Sequence, residues 1–309
     1  MRATRATIVL ASCILLLIGV LASLPGDREP AYNGKTLSQW LLYNPPAYAR
    51  SNALDLQIEA IREIGEPAVP WLLKWARYQT PAWRWKLERF FGKDPRVERR
   101  EAVWFAFKIL GPKAADAIPE LTRMINNPRG PEFYGRPLNA LSHMGDRGFP
   151  PVLSVLENPR HLARATAAGI IGDTSEWGTN RLRAVPALVF CLRSDNYFLA
   201  SLADSALGKI ARDPALPLPQ LAKSLSTTPN TNIDETVNSL STLIVSQKTP
   251  ERLRLASTMA LGLIGKPAHD AIPALVRTLN DDDQLVQSAA TNALRNISPE
   301  VLTNAPKNF

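Results

Sequence analysis

The chain has 309 residues, with 36 Lys plus Arg against 28 Asp plus Glu and a formal net charge of +8. Its 45% apolar content is that of a globular protein and excludes wholesale disorder. Abundant proline (26) and sparse glycine (16) disfavour a large parallel sheet with glycine-rich phosphate loops, and two cysteines exclude a disulfide framework or a cysteine-based zinc site. Arg2 and Arg5 precede an uncharged stretch from Ala6 to Gly26, whose apolar heart runs from Ile8 to Leu24; Asp27 and Glu29 follow. Basic before and acidic after is the pattern of a secretory signal or an N-terminal anchor. Seventeen residues stand at the lower limit of a span, for which about 20 are usual. Residues 1–24 are therefore expected to be a signal peptide or a membrane anchor, with cleavage and retention both left open. The body is expected to be exported to the cell envelope or periplasm, tethered to the inner membrane by residues 8–24 if the segment is kept. Leu10-Ala11-Ser12-Cys13 resembles a lipobox, but the apolar run continues for eleven residues beyond Cys13, where a lipidated cysteine is followed by polar chain. Lipidation is the disfavoured outcome.

Residues 25–50 read as a linker with a short capping helix. Thr36 or Ser38 opens it, Trp40 and Leu41 give it an apolar side, and Pro45 and Pro46 end it. It is expected to cover the open apolar end of the helices that begin near residue 51.

From residue 51 a signature recurs: Ala, four mostly apolar residues, then a small residue. It stands at Ala60–Gly65, Ala106–Gly111, Ala140–Gly145, Ala167–Gly172, Ala206–Ala211, Ala260–Gly265 and Ala293–Ser298. Most copies are followed by an apolar residue and a proline: Val69-Pro70, Ile118-Pro119, Phe149-Pro150, Val185-Pro186, Leu218-Pro219 and Ile272-Pro273. Apolar residues then return at helical spacing, as in Ile272, Leu275, Val276 and Leu279. Each unit therefore predicts a helix, a glycine in left-handed conformation as its C-terminal cap, and a second helix with proline in its first turn. One such pair cannot bury its apolar face, whereas stacked pairs bury a continuous core. Spacing between closing residues is irregular. The 46 residues from Gly65 to Gly111 predict an insertion near 78–96, and the 54 from Ala211 to Gly265 predict a worn unit around Thr236 to Val245. Residues 299–309 read as a frayed tail. Cys191, the one cysteine of the body, lies between Phe190 and Leu192 and is expected in the core.

These units resemble HEAT repeats in the short form also found in phycobilisome-lyase-type HEAT-like proteins. Ala260-Leu-Gly-Leu-Ile-Gly265, the Lys-Pro-Ala after it, Ile272-Pro-Ala-Leu-Val-Arg-Thr-Leu279 and Asp282 to Ala290 carry the resemblance most closely, and it extends over about 51–298. The fold expected is all-α, a right-handed α-solenoid of about seven HEAT-like helical hairpins.

Chemistry is harder to find. No HExxH or Gly-x-Ser-x-Gly occurs, and Pro267 follows Gly262-Leu-Ile-Gly265-Lys266 where a phosphate loop needs Ser or Thr. Asp281-Asp282-Asp283 precede a predicted helix, where carboxylates complement the helix dipole. No cofactor, metal or catalytic residue is assigned. Two binding features stand out. The residue four after each proline is Lys74, Arg123, Ser154, Phe190, Lys223 or Arg277. Four of these six are basic, a candidate ladder along the second helices, which line the concave face in proteins resembling HEAT arrays. Second, six of the seven tryptophans fall between Trp40 and Trp104, and Trp83, Arg84 and Trp85 open a stretch with seven cations and three anions between 83 and 100. Such a patch suits a protein partner or an anionic surface, or else packs an inserted helix. The function expected is a scaffold without catalysis that binds a protein partner, acidic in character, and meets the membrane through its N-terminal segment. A lyase or chromophore-handling role rests on resemblance alone, and a nucleic-acid-binding array conflicts with export.

Overall fold

The computed structural model describes residues 28–43, 52–81, 83–84, 94–127, 134–227 and 233–303. The expected signal or anchor, Cys13 and most of the basic aromatic insertion, Trp85 included, lie outside the described residues. Among the described residues no helix is long and apolar enough to cross a membrane. The chain divides into two units, 1–110 and 111–309.

The first unit opens with a feature that helix-seeking patterns overlook. Strands β1 (Ala31–Tyr32) and β2 (Lys35–Thr36) pair antiparallel across Asn33-Gly34. Both turn residues have positive φ, 46° and 75°, as a type I′ hairpin requires, and an Asn-Gly pair is its usual sequence signal. Helix α1 (Leu37–Leu41) follows at once. Thr36 and Gln39 form a reciprocal capping box, so Thr36 is the cap and Ser38 is not. Gln57 of α2 (Ala53–Ile64) donates its side-chain amide to the carbonyls of Trp40 and Leu41, at 2.8 and 3.0 Å, and ties the short helix down. Helix α1 thus packs on α2 and on α4 (Pro95–Leu110). Helix α3 (Val69–Ala76) packs on α4, and Leu72 and Trp75 of the one and Val103 and Phe107 of the other are buried.

In the second unit a two-layer order holds. The first helices α6 (Gly135–Ser142), α8 (Arg164–Asp173), α10 (Tyr197–Arg212), α13 (Glu251–Ile264) and α15 (Gln284–Ile297) stack in succession. Behind them lie α7 (Phe149–Glu157), α9 (Val185–Cys191), α12 (Ile233–Val245) and α14 (Ile272–Thr278). Helix α5 (Ile118–Asn126) packs on α6. Helix α11 (Leu218–Leu225) packs on α9 and α13, and α12 occupies the segment predicted as a worn unit. Every copy of the Ala…small signature ends one of the seven first helices, α2, α4, α6, α8, α10, α13 and α15, and all six prolines stand in the first turn of a second helix. There the missing N–H costs nothing.

Two expectations need correction. Gly65 and Gly265 have φ of 63° and 71°, but their ψ near −141° lies outside the left-handed helical well, in a region reserved for glycine. Gly172 has no positive φ and lies inside α8. Its role is close approach: a Cβ built there would lie 2.7 Å from Ala206 Cα and 2.9 Å from Ala206 Cβ on α10. Both atoms belong to a rigid helix, so Gly172→Ala is expected to lose about 1–3 kcal/mol through overpacking. Gly169→Ala, one turn earlier, would put its Cβ 3.7 Å from a Leu202 methyl and is expected to be neutral or stabilising, since Ala favours a helix interior by ~1 kcal/mol. Urea unfolding of the two variants separates close packing from helix propensity. Finally, the predicted tail begins with a short helix, α16 (Glu300–Thr303); residues 304–309 lie outside the described set.

The core is small and aliphatic, with Trp177 as its largest wholly buried side chain. Trp177 lies on the 3₁₀ segment Ser175–Ala184, meets Phe149 edge-on at 5.2 Å and donates Nε1–H to the Gly145 carbonyl at 2.9 Å. The two inter-helix turns Gly145–Gly148 and Ser175–Ala184 are joined this way. Cys191 is buried, as expected; burial pushes its thiol up, and Arg164 Nη2 lies 3.1 Å from Sγ.

Candidate functional site

Within the second unit, the cations singled out in the sequence do not line one groove. Lys74 is exposed on α3, with Nζ 4.8 Å from the centre of the Trp71 ring, a cation–π contact within its own helix. Arg123 on α5 is bound to Glu120 one turn earlier, with contacts of 2.6 and 2.9 Å. Its charge is answered locally, although its side chain is 62% exposed.

Lys223 and Arg277 line two different grooves. Lys223 of α11 borders a groove of about 840 Å³ walled by α11, α13 and α15. Arg277 of α14 borders one of about 660 Å³ walled by α12, α14 and Arg193. No lining residue is common to both. The predicted single ladder is therefore corrected. Proline-relative spacing places a cation correctly along its own helix, but α11 packs against the first helix α13, while α12 takes the place beside α14.

The Arg277 groove is polar. Arg193, Asn238, Ser241, Thr242 and Asp270 line it with Arg277. Thr242 donates to the Asn238 carbonyl at 3.0 Å. Ser241 Oγ is buried without a hydrogen-bond partner. Among the described residues neither arginine makes an ion pair, and the Asn238 amide makes no hydrogen bond. The groove presents two cations, one carboxylate and unused hydrogen-bonding groups. Pattern reasoning missed Arg193, which precedes α10 outside the proline register, and Asn238, which the worn repeat conceals.

The tryptophan patch divides. Trp83 is 57% exposed, the exposure a contact residue needs. Arg84 is turned inward, with Nε 3.2 Å from Asp94 Oδ2, which removes it from the outward patch. Asp94 is the centre of this cluster. It accepts from the backbone N–H and Nε of Arg96, both at 3.1 Å, and from the Tyr78 hydroxyl. Arg96 lies over the Tyr78 ring at 4.7 Å and Arg99 over Trp75 at 4.9 Å. Trp83 apart, the described residues around Asp94 form a network at the start of α4.

Burial pushes the Asp94 carboxyl up, but the Tyr78 hydroxyl, Arg96 and Arg84 together outweigh it and hold the group down at about 2. A carboxyl depressed on folding stabilises the native state above its unfolded value, near 3.9. That contribution is lost as pH falls from about 4 through about 2. Thermal melts of the native chain and Asp94→Asn are expected to differ at pH 5 and to converge toward pH 2. A difference independent of pH in that window would mean that Asp94 acts only through its shape.

The HEAT-like repeat family matches residues 251–297, the segment of α13, α14 and α15 and the one with the closest resemblance in sequence. No curated protein matches the chain. Similar solved structures include an engineered protein at 19% identity, covering 84% of this chain and 72% of that one with a TM-score of 0.41. A computationally designed armadillo repeat protein for modular peptide recognition is 12% identical, over 74% of this chain and 99% of its own, with a TM-score of 0.41. Human deoxyhypusine hydroxylase is 15% identical over 75% and 96%, with a TM-score of 0.27. Residues 251–297 are a HEAT-like repeat, and the described residues of both units are built almost wholly of stacked helices.

Proposed function

We propose that the protein is a binding scaffold without catalysis, exported and tethered or released through residues 1–24, that holds an acidic, extended protein segment in the groove between α12 and α14. The observation that supports it is the wall of that groove, where Arg193 and Arg277 make no ion pair among the described residues and stand with Asn238 and the Ser241 hydroxyl. An extended segment leaves its own backbone groups unpaired, and these groups answer them. Two guanidiniums add charge complementarity to carboxylates, which raises association rate and makes binding salt-dependent.

The test is a fluorescence-anisotropy titration with a labelled Glu/Asp-rich peptide and a Lys-rich counterpart. The acidic peptide is expected to bind and to weaken with salt, and Arg193→Glu/Arg277→Glu is expected to lose at least tenfold in affinity. Equal affinity for both peptides, or no change in the double variant, rejects the groove. Export is tested separately, with a reporter fused after residue 30; a reporter retained in the cytoplasm rejects that part.

A further inference from the structure

The second groove has the opposite chemistry. Leu218, Leu255, Met259, Leu263 and Leu285 form its walls. Its floor is low because Gly262 of α13 faces Ala293 of α15 so closely that an added Cβ would lie 3.2 Å from Ala293 Cα. Leu263 and Leu285 are 61% and 64% exposed, one from each of the two helices. Leucines left so open mean that no small molecule is enclosed there, since small-molecule pockets bury most of their ligand. They suit a protein surface laid across them.

The apolar walls decide which surface. Ser226 donates to the Lys223 carbonyl at 2.8 Å, Asn296 to the Gly262 carbonyl at 3.3 Å, and Asn292 accepts from Arg295 at 3.0 Å, one bond each with capacity left over. Between these groups the walls are leucine and methionine, against which an extended peptide would bury unpaired backbone groups, whereas a helix brings its backbone bonds already made. One charged group remains in the walls: the Lys223 ammonium, which makes no ion pair among the described residues.

The geometry points to a docking site for an amphipathic helix of a partner protein, with leucine-type side chains seated between Leu263 and Leu285 and a carboxylate meeting Lys223. Small-residue contact between α13 and α15 makes the trough, the flexible Met259 side chain adapts to the inserted side chains, and the Lys223 cation sets the helix direction. This site is independent of the polar groove, so the protein holds two segments of different chemistry on different helix layers.

The probe is a labelled synthetic peptide of about 16 residues, long enough for measurable helicity. It carries leucines at helical i, i+4, i+7 spacing and glutamates at one end. Two controls accompany it: the same peptide with two central prolines, and one with lysines in place of the glutamates. Against the full chain in detergent micelles, saturable binding of the acidic helical peptide is expected. The proline peptide and the Leu263→Ser/Leu285→Ser variant should each weaken binding at least tenfold. Both leucines are largely exposed, so the variant should melt like the native chain, a point circular dichroism checks. Lys223→Glu should invert the preference toward the lysine peptide. Arg193→Glu/Arg277→Glu should leave helix binding unchanged, which separates this site from the polar groove. The inference is overturned by equal binding of the proline peptide, by indifference to the leucine variant, by retained preference in Lys223→Glu, or by absence of saturable binding.

Discussion

Asp281→Ala is expected to be among the most damaging single substitutions in the second unit, at about 3–5 kcal/mol. Arg254 of α13 reaches Asp281 with two parallel bonds, Nε to Oδ2 at 3.0 Å and Nη2 to Oδ1 at 2.8 Å, and its third nitrogen donates to the Thr249 carbonyl at 2.9 Å. Both residues are 8% exposed. The hydrogen bond that Arg254 donates to Asp281 is the main cause of its raised guanidinium value, so the cation stays charged at every accessible pH. Without Asp281 that charge keeps the Thr249 carbonyl and the Glu251 and Asp283 carboxylates nearby, and its desolvation is only partly offset. Asp281 also accepts from the Asp283 N–H at 3.0 Å, and Asp283 in turn caps α15. One carboxylate therefore joins the start of α13 to the start of α15. Arg254→Met/Asp281→Ala should recover part of the loss, because no unpaired charge remains. Urea unfolding of the two singles and the double gives the coupling energy. A single-variant loss below about 1 kcal/mol would place the pair with exposed salt bridges.

Trp177→Ala is expected to cost about 3–5 kcal/mol, the range for removing a buried tryptophan. The ring is 1% exposed, its edge meets Phe149, and its N–H closes the turn at Gly145. Trp177→Phe separates the contributions. Most of the apolar contact survives, while the Gly145 carbonyl loses its donor inside the core, which costs about 1–3 kcal/mol. Guanidinium denaturation should rank native above Phe above Ala. Equal stability of the Phe and native chains would show that the hydrogen bond contributes nothing net and that the ring acts by volume alone.

The repeat plan was legible because local physics carries it. Each closing glycine of α2, α4, α6 and α13 sits at a positive φ that disfavours a side chain, and each proline sits where a helix begins. The Asp283 cap of α15 and the Thr36 cap of α1 were likewise readable from side chains that bond their own backbone. Gly172 broke the rule, because its constraint comes from Ala206, 34 positions away. The Asn33-Gly34 hairpin was present in the letters, masked by the helix signals beside it.

Of the binding surfaces, the sequence held the parts and not their arrangement. It identified Lys223 and Arg277 as cations at equivalent positions on second helices, and the structure assigns them to separate grooves. Position on a helix comes from a 3.6-residue period, a property of the segment alone. The layer a helix joins depends on which neighbours bury its apolar face, and for α11 and α12 those neighbours are decided by packing across the stack. By itself the sequence determined helices, their ends and their apolar faces, because hydrogen bonds and sterics within a few residues set them. Only the tertiary structure decided that α13 and α15 would approach closely enough to open an apolar trough, and that Arg193 would join Arg277, because both depend on contacts between residues far apart in the chain.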